Sequence, residues 1–434
     1  MRFEFSIDRK ILDIAVPSIV SNVTVPLLGL CDVAIMGHVG GAAHIGAITV
    51  GSMVFNIMYW LFVFLRMGTS GLTAQARGAR QLGLAAALLR RSLLVALTIA
   101  LAIVILQVPL GKLAFWLMRP TDDVLSLVTP YYYICIWGAP AMLGLYALTG
   151  WFIGMQNTVT PMVIAIGQNV VNIVASLLLA VVGGMGVEGV AVGTLVAQWT
   201  AFVAALLLLN RRYGRLLRRH VSSLNELLHG LGDFFRVNSF IFLRTLCLVA
   251  VNLYFTSAGA SMGALILAAN ALLMQLFLLF SFVMDGFAFA GEALAGRYYG
   301  ARDKVMLRTT IIHLFGWGGA VALVFTLVYG LGGGLVLNLL TTDAEVVQTA
   351  LTYYGWVLLV PLSGMAAFVW DGVCIGLTAT RAMFLSVLLA AVAFFGCVLA
   401  GGLHHNHVLW LAFDIYLAVR SLFLTCFRKW RIIF

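Results

Sequence analysis

One carboxylate, Asp32, stands near the end of an apolar run that extends from Ile11 to Met36. At the centre of a lipid-buried helix an ionised Asp costs roughly 2.5–3.5 kcal/mol, so such a residue faces a protein interior or a wet cavity. Loss of water disfavours its charged form, which suits it to taking up and releasing a proton. Steps of three or four back from Asp32 meet Gly29, Val25, Asn22 and Ser18, a stripe of small and polar residues, while Leu27, Leu28, Leu30, Ile35 and Val39 fill most of the remainder. Pro17 and Pro26 remove hydrogen bonds to the carbonyls of Asp13 and Asn22, which makes them hinge candidates, with a static kink as the alternative.

Two further runs carry amides and hydroxyls at helical spacing. Asn169, Asn172 and Ser176 share one face of the fifth run, and Thr194 and Gln198 share a face of the sixth. They either line the cavity of Asp32 or join helices to one another at about 0.6 kcal/mol per hydrogen bond. In the second half of the chain Arg244, Asp285, Asp371 and Asp414 interrupt apolar runs. A buried guanidinium requires a carboxylate partner, and Asp371 or Asp285 is expected for Arg244, forming a polar network with a structural or a functional role. Asp414 is expected to pair with Arg420. Glu292 and Arg297 border a cytoplasmic loop, and His404, His405 and His407 fall in an external turn, solvated rather than metal-binding. Tyr146, Trp151, Met155, Met274 and Met284 are candidates for an adaptable substrate lining.

The elements that must position these residues follow from composition. Of 434 residues 62% are hydrophobic and 10% charged, against about 25% charged in soluble domains. The chain reads as an all-α polytopic membrane protein, with twelve apolar runs long enough to span, the first at 11–36 and the last at 407–427. The net charge of +10 does not indicate nucleic acid, because the basic residues sit in short segments between runs, where they orient helices and meet anionic lipid. Arg77, Arg80, Arg90 and Arg91, the cluster from Arg211 to Arg219, Arg297 to Arg308 and the termini (Arg2, Arg9, Lys10; Arg428, Lys429, Arg431) all fall on one side. The odd connections carry only Lys112 and Arg119. Both termini are therefore expected in the cytoplasm. Six isolated cysteines without a CxxC pair suggest neither a disulfide framework nor a metal site. The N-terminal apolar run is too long, and lacks the following small-residue site, for a cleavable signal.

The chain also repeats itself. "GARQ" at 78–81 answers "GARD" at 300–303 with an offset of 222, and "TDDVLSLVTPYYY" (121–133) answers "TDAEVVQTALTYY" (342–354) at 221. Pro140 answers Pro361, and "IG" at 153–154 answers "IG" at 375–376. Two six-helix lobes are expected, 1–209 and 233–434, joined by a basic cytoplasmic linker at 210–232, with alternating access by lobe motion. The intramembrane charges are not duplicated: at offset 222 Asp32 meets Tyr254, and Arg244 meets Asn22.

The proline-bearing first run with "DVAIMGHVG", the "TAQARGARQ" loop, and the second-half stretches "FLRTLCL", "LAANALLMQLFLLFSFVMDGFAFAGEALAGRYYGARD" and "WDGVCIGLTATRAM" resemble the multidrug and toxic compound extrusion (MATE) family, more specifically its DinF branch. The resemblance covers essentially the whole chain. It implies a multi-pass protein of the cytoplasmic or inner membrane, not an enzyme and without a cofactor, that exports small amphipathic organic substrates, cationic or lipid-like, against inward flow of protons or sodium. It also implies a coupling site in the first lobe, where an Asp, an Asn, a second Asp and a Thr converge. In this chain those positions are Asp32, Asn172, Ser176 and Thr194. The serine in place of the second acid turns the expectation from sodium toward the proton, with protonation of Asp32 bending the first helix. A monomer among membrane lipids is expected, and a flippase for lipid or lipid-linked saccharide is the rival reading within the same superfamily. No HExxH, GxSxG or comparable constellation supports an intramembrane enzyme.

Overall fold

The computed structural model describes residues 2–39, 41–221, 224–341, 343–402 and 405–427, with the backbone alone for 2–5, 25, 27–30, 38–39, 224–225 and 229. His404, the C-terminal Arg428, Lys429 and Arg431, and the side chains of Arg2, Val25 and Gly29 lie outside the described residues. The described chain is helical almost throughout. Its long helices are α1 (Arg2–Val39), α2 (Ala42–Gly78, with an irregular turn at 62–63), α3 (Leu82–Ile105), α4 (Asp122–Gly154), α5 (Val159–Val182) and α6 (Gly186–Arg219). They continue as α7 (Leu231–Ser261), α8 (Ala264–Gly300), α9 (Lys304–Leu340), α10 (Ala344–Gly376), α11 (Thr380–Gly401) and α12 (Asn406–Cys426). Among the described residues eleven helices, all but α1 in this series, are long and apolar enough to cross a membrane. In hydrocarbon every backbone polar group must be satisfied within its own segment, which is why apolar runs of this length become helices.

The chain forms two compact units, one of Val20–Phe235 and one of Met1–Ile19 with Arg236–Phe434. Helix α1 contributes to both, and the division at Ile19 and Val20 falls between Pro17 and Pro26, through which the helix continues without interruption. Its first part packs within the second of these units. Ile7, Ile11, Ile14 and Ala15 are buried there, and Gly286 of α8 admits the Ala15 carbonyl and Ile19. Asp8 Oδ1 accepts a hydrogen bond from Trp317 Nε1 at 2.9 Å and lies 2.8 Å from His313 Nδ1 on α9. Burial acts to raise the Asp8 carboxyl, but the hydrogen bonds of His313 and Trp317 outweigh it and hold the group below its ordinary value.

Within each unit, pairs of helices approach through glycine. A Cβ on Gly150 would collide with the Arg66 carbonyl, and one on Gly154 would press against the Ser70 carbonyl and Thr73, so α4 and α2 meet backbone to backbone. In the other unit Gly372 meets the Ala288 carbonyl and Gly376 the Glu292 carbonyl, bringing α10 onto α8. Each contact of the second pair lies 222 residues beyond its counterpart in the first.

The helix ends recur at the same interval. Arg80 and Arg302 take left-handed φ of 59° and 56°, and Gln156 and Thr378 take 55° and 53°. Behind each, the chain closes a hydrogen bond onto a carbonyl five residues earlier: Gln81 N to Ala76 O (2.8 Å), Asp303 N to Tyr298 O (3.0 Å), Asn157 N to Phe152 O and Ala379 N to Cys374 O (both 2.8 Å). These closures satisfy carbonyls that the helix termini would otherwise leave open, and they stabilise left-handed backbone at residues that carry a Cβ.

Candidate functional site

Asp32 is buried in the Val20–Phe235 unit, on the part of α1 that belongs to it, with 3% of its surface exposed. Facing it is Ser176, on α5. The hydroxyl interacts with the carboxylate without closing an ordinary hydrogen bond, so Asp32 Oδ1 and Ser176 Oγ are both buried and unpartnered among the described residues. One turn earlier on α5, Asn172 Nδ2 donates to Thr194 Oγ1 of α6 at 2.9 Å, and Asn172 Oδ1 is left without a partner. Gly193 sets α6 against α5, since a Cβ there would meet the Ser176 hydroxyl and backbone. Asn169 Nδ2 donates to the Thr24 carbonyl at 2.8 Å and ties α5 to α1. Gln198 Oε1 is buried against Gly138 and unpartnered.

The backbone departs from α-helical geometry beside these residues. Immediately after Ser176 the chain winds as a π-helix, Leu177–Val182, and in α4 a 3₁₀ turn, Ile136–Gly138, follows Cys135. Such widened or tightened turns redirect side chains within a helix and often mark working sites. Tyr131 and Cys135 of α4 lie within electrostatic range of Asp32, and Gly51 of α2 receives the Tyr131 ring. Neither residue carries a sequence signal toward the carboxylate, because a tyrosine in "PYYY" reads equally well as an anchor at the membrane surface.

Asp32, Asn172, Ser176 and Thr194 thus lie on three helices joined by direct contacts. The proposed lining residues are placed differently. Trp151 is fully buried in helix packing, its Nε1 donating to the Ala85 carbonyl at 2.8 Å and its ring 4.9 Å from that of Tyr213. Met155 belongs to the same hydrophobic cluster, and Met284 is fully buried in the other unit. Tyr146 and Met274 are half-buried. Tyr146 feels the charge of Arg66, a buried arginine of α2.

In the other unit Arg244 pairs with Asp371, as one of the two expected partners. The expected Asp414–Arg420 pair is not made. Arg420 Nη2 binds Asp371 Oδ2 at 2.7 Å, and Asp414 accepts instead from the Ser363 hydroxyl at 3.4 Å. Helix α12 thereby sends its arginine, six residues beyond its own acid, across to α10. Asp285 of α8 is half-buried in this unit. Among the described residues no group of three or more His, Cys, Asp or Glu could hold a metal ion.

The family model MatE matches residues 17–178 and again 241–400. The chain is 35% identical to DNA damage-inducible protein F of Escherichia coli strain K12 over 99% of this chain and 94% of that protein. It resembles a crystal structure of MATE in the bent conformation, with a TM-score of 0.85 at 20% identity, covering 98% of this chain and 95% of the other. It also resembles the outward-facing conformation of a multidrug resistance MATE family transporter of the MOP superfamily, with a TM-score of 0.83, 20% identity and coverage of 98% and 96%.

Proposed function

The chain belongs to the MatE family of multidrug and toxic compound efflux transporters, and from that premise we propose that it is a proton-coupled antiporter of amphipathic organic compounds in which Asp32 carries the proton. The observation that carries this reading is the buried Asp32 oxygen left unpartnered among the described residues, with the Ser176 hydroxyl facing the carboxylate. An ionised carboxylate held this way is costly, and its protonated form becomes a donor that the Ser176 oxygen can accept. Protonation then redraws the hydrogen bonds around Asn172 and Thr194 and draws on the flexibility of α1 between Pro17 and Pro26. For an uncharged substrate a single proton moving down 100 mV releases about 2.3 kcal/mol, whereas one-for-one exchange with a monovalent cation moves no net charge and draws on the pH difference alone.

Sodium coupling is the weaker reading, because Ser176 supplies no second negative charge and a hard cation requires several oxygen ligands with charge compensation. Two six-helix repeats with both termini cytoplasmic complete the proposal. The double match of the family model, the recurrence of glycine contacts and left-handed helix ends at 222 residues, and the one-sided basic loops support it.

The test is transport in sealed vesicles containing purified protein. With sodium absent, an imposed pH gradient is expected to drive accumulation of a fluorescent amphipathic cation by the wild type and not by Asp32→Asn. Accumulation that requires a sodium gradient, or that persists in Asp32→Asn, overturns the reading.

A further inference from the structure

The 222-residue interval shows what the second unit holds where the first holds its carboxylate. Asp32, Asn172, Thr194 and Gln198 correspond to Tyr254, Phe394, Tyr416 and Arg420. The aromatic counterparts touch one another, as Asn172 and Thr194 do in the first unit. Tyr254 and Phe394 meet edge to face with centroids 5.9 Å apart, and Phe394 and Tyr416 at 6.5 Å. The Arg420 guanidinium lies 5.4 Å from the centre of the Tyr416 ring. A wall of rings backed by a cation thus occupies the position that in the other unit is acidic and amide-lined.

The charges beside this wall do not match one to one. Arg244 and Arg420 both donate to a single oxygen, Asp371 Oδ2, and the side chains of all three are no more than 10% exposed. Arginine ordinarily meets a carboxylate through two parallel bonds. Here Asp371 Oδ1, Arg244 Nε and Arg420 Nε are all buried without a partner among the described residues. Asp414 pairs with neither arginine, giving its Oδ1 to Ser363 and leaving Oδ2 unpartnered. A buried donor left open is costly, so a cluster built only to hold helices together is poorly served by two arginines and one shared oxygen. A receptor for an anion is well served by them: two guanidiniums with spare donors, pre-oriented by an internal carboxylate that a ligand can replace.

We propose that Arg244 and Arg420, with the Tyr254–Phe394–Tyr416 wall, form a binding site in the second unit for an organic anion, a carboxylate or sulfonate with a flat aromatic or apolar body, and that Asp371 is its internal competitor. This rests on the reading that the chain moves amphipathic organic compounds and is independent of the ion that drives them.

Equilibrium binding without any gradient separates this site from the coupling reading. Purified full-length protein in nanodiscs of zwitterionic lipid is dialysed against radiolabelled naphthalene carboxylate, with empty nanodiscs subtracted. Asp371→Asn removes the competitor while keeping the arginines, and is expected to tighten binding about tenfold. Arg420→Gln, which installs the residue found at the corresponding position of the first unit, is expected to weaken it at least tenfold. Thermal unfolding of each variant reports whether it folds, and the charge-compensated double variant Asp371→Asn with Arg420→Gln serves where Arg420→Gln alone does not. Unchanged or weaker binding by folded Asp371→Asn, binding indifferent to loss of Arg420 in the single or double variant, or no saturable binding by the wild type overturns the proposal.

Discussion

In the proposed coupling site Asp32, Asn172, Ser176 and Thr194 divide a single problem among them: a carboxylate in an apolar unit needs partners that accept both of its protonation states. The Asn172–Thr194 hydrogen bond at 2.9 Å is the one fixed element, and the unpartnered oxygens around it are the adjustable ones. Replacing Thr194 by Val keeps the side-chain shape and removes the acceptor for a buried amide, a loss of about 1–3 kcal/mol in interaction. Initial rates measured across pH are expected to fall about tenfold for Thr194→Val, with a displaced pH profile and a KM for substrate within about twofold of wild type. An unchanged profile would show that the Asn172–Thr194 bond lies apart from the titrating group. Asp32 was legible in the sequence because an isolated acid in an apolar run has few roles. The shared faces of Ser176 and Thr194 were legible from spacing, while a role beside Asp32 was implied only by resemblance, since hydroxyls in membrane helices also bond their own backbone. Tyr131 and Arg66 were not legible, nor was the packing of Trp151, because the Ala85 carbonyl that receives its indole lies 66 residues away in sequence.

Helices in these units are positioned by where side chains are missing. Gly150 against Arg66 and Gly372 against Ala288 are contacts between a glycine and a backbone carbonyl, so nothing can rotate aside to admit a methyl group. Gly150→Ala and Gly372→Ala are each expected to lower the thermal unfolding midpoint in detergent, at a cost of about 1–3 kcal/mol. If either leaves the midpoint unchanged, the corresponding helix pair is not as close as described. Hydropathy found the apolar runs but not their ends. Helix α1 already runs through residues 2–10, ahead of the first apolar run, and Asp8 there finds Trp317 and His313. The irregular turns after Cys135 and Ser176 likewise leave no trace in composition, since they arise from how neighbouring helices pack.

For the whole molecule, short identities such as "GARQ" and "GARD" suggest a repeat, and Arg80 and Arg302 take left-handed backbone at those two points. What separates the halves is chemistry. One unit buries a carboxylate against a serine hydroxyl, the other two arginines on one shared acid, with the Tyr416 ring against one of them. The grouping of residues 1–19 with the later helices has no signal in periodicity, because it depends on tertiary contacts such as Gly286 with Ala15. The central claim concerns coupling: substrate and proton move in opposite directions through one protein, and Asp32 joins the two. The most direct measurement loads sealed vesicles with a pH-sensitive dye and imposes a substrate gradient alone, without sodium and without an initial pH difference. The account predicts proton movement opposite to the substrate in the wild type and none in Asp32→Asn. Equal proton movement in both proteins, or none in a wild type that still transports substrate, would contradict it.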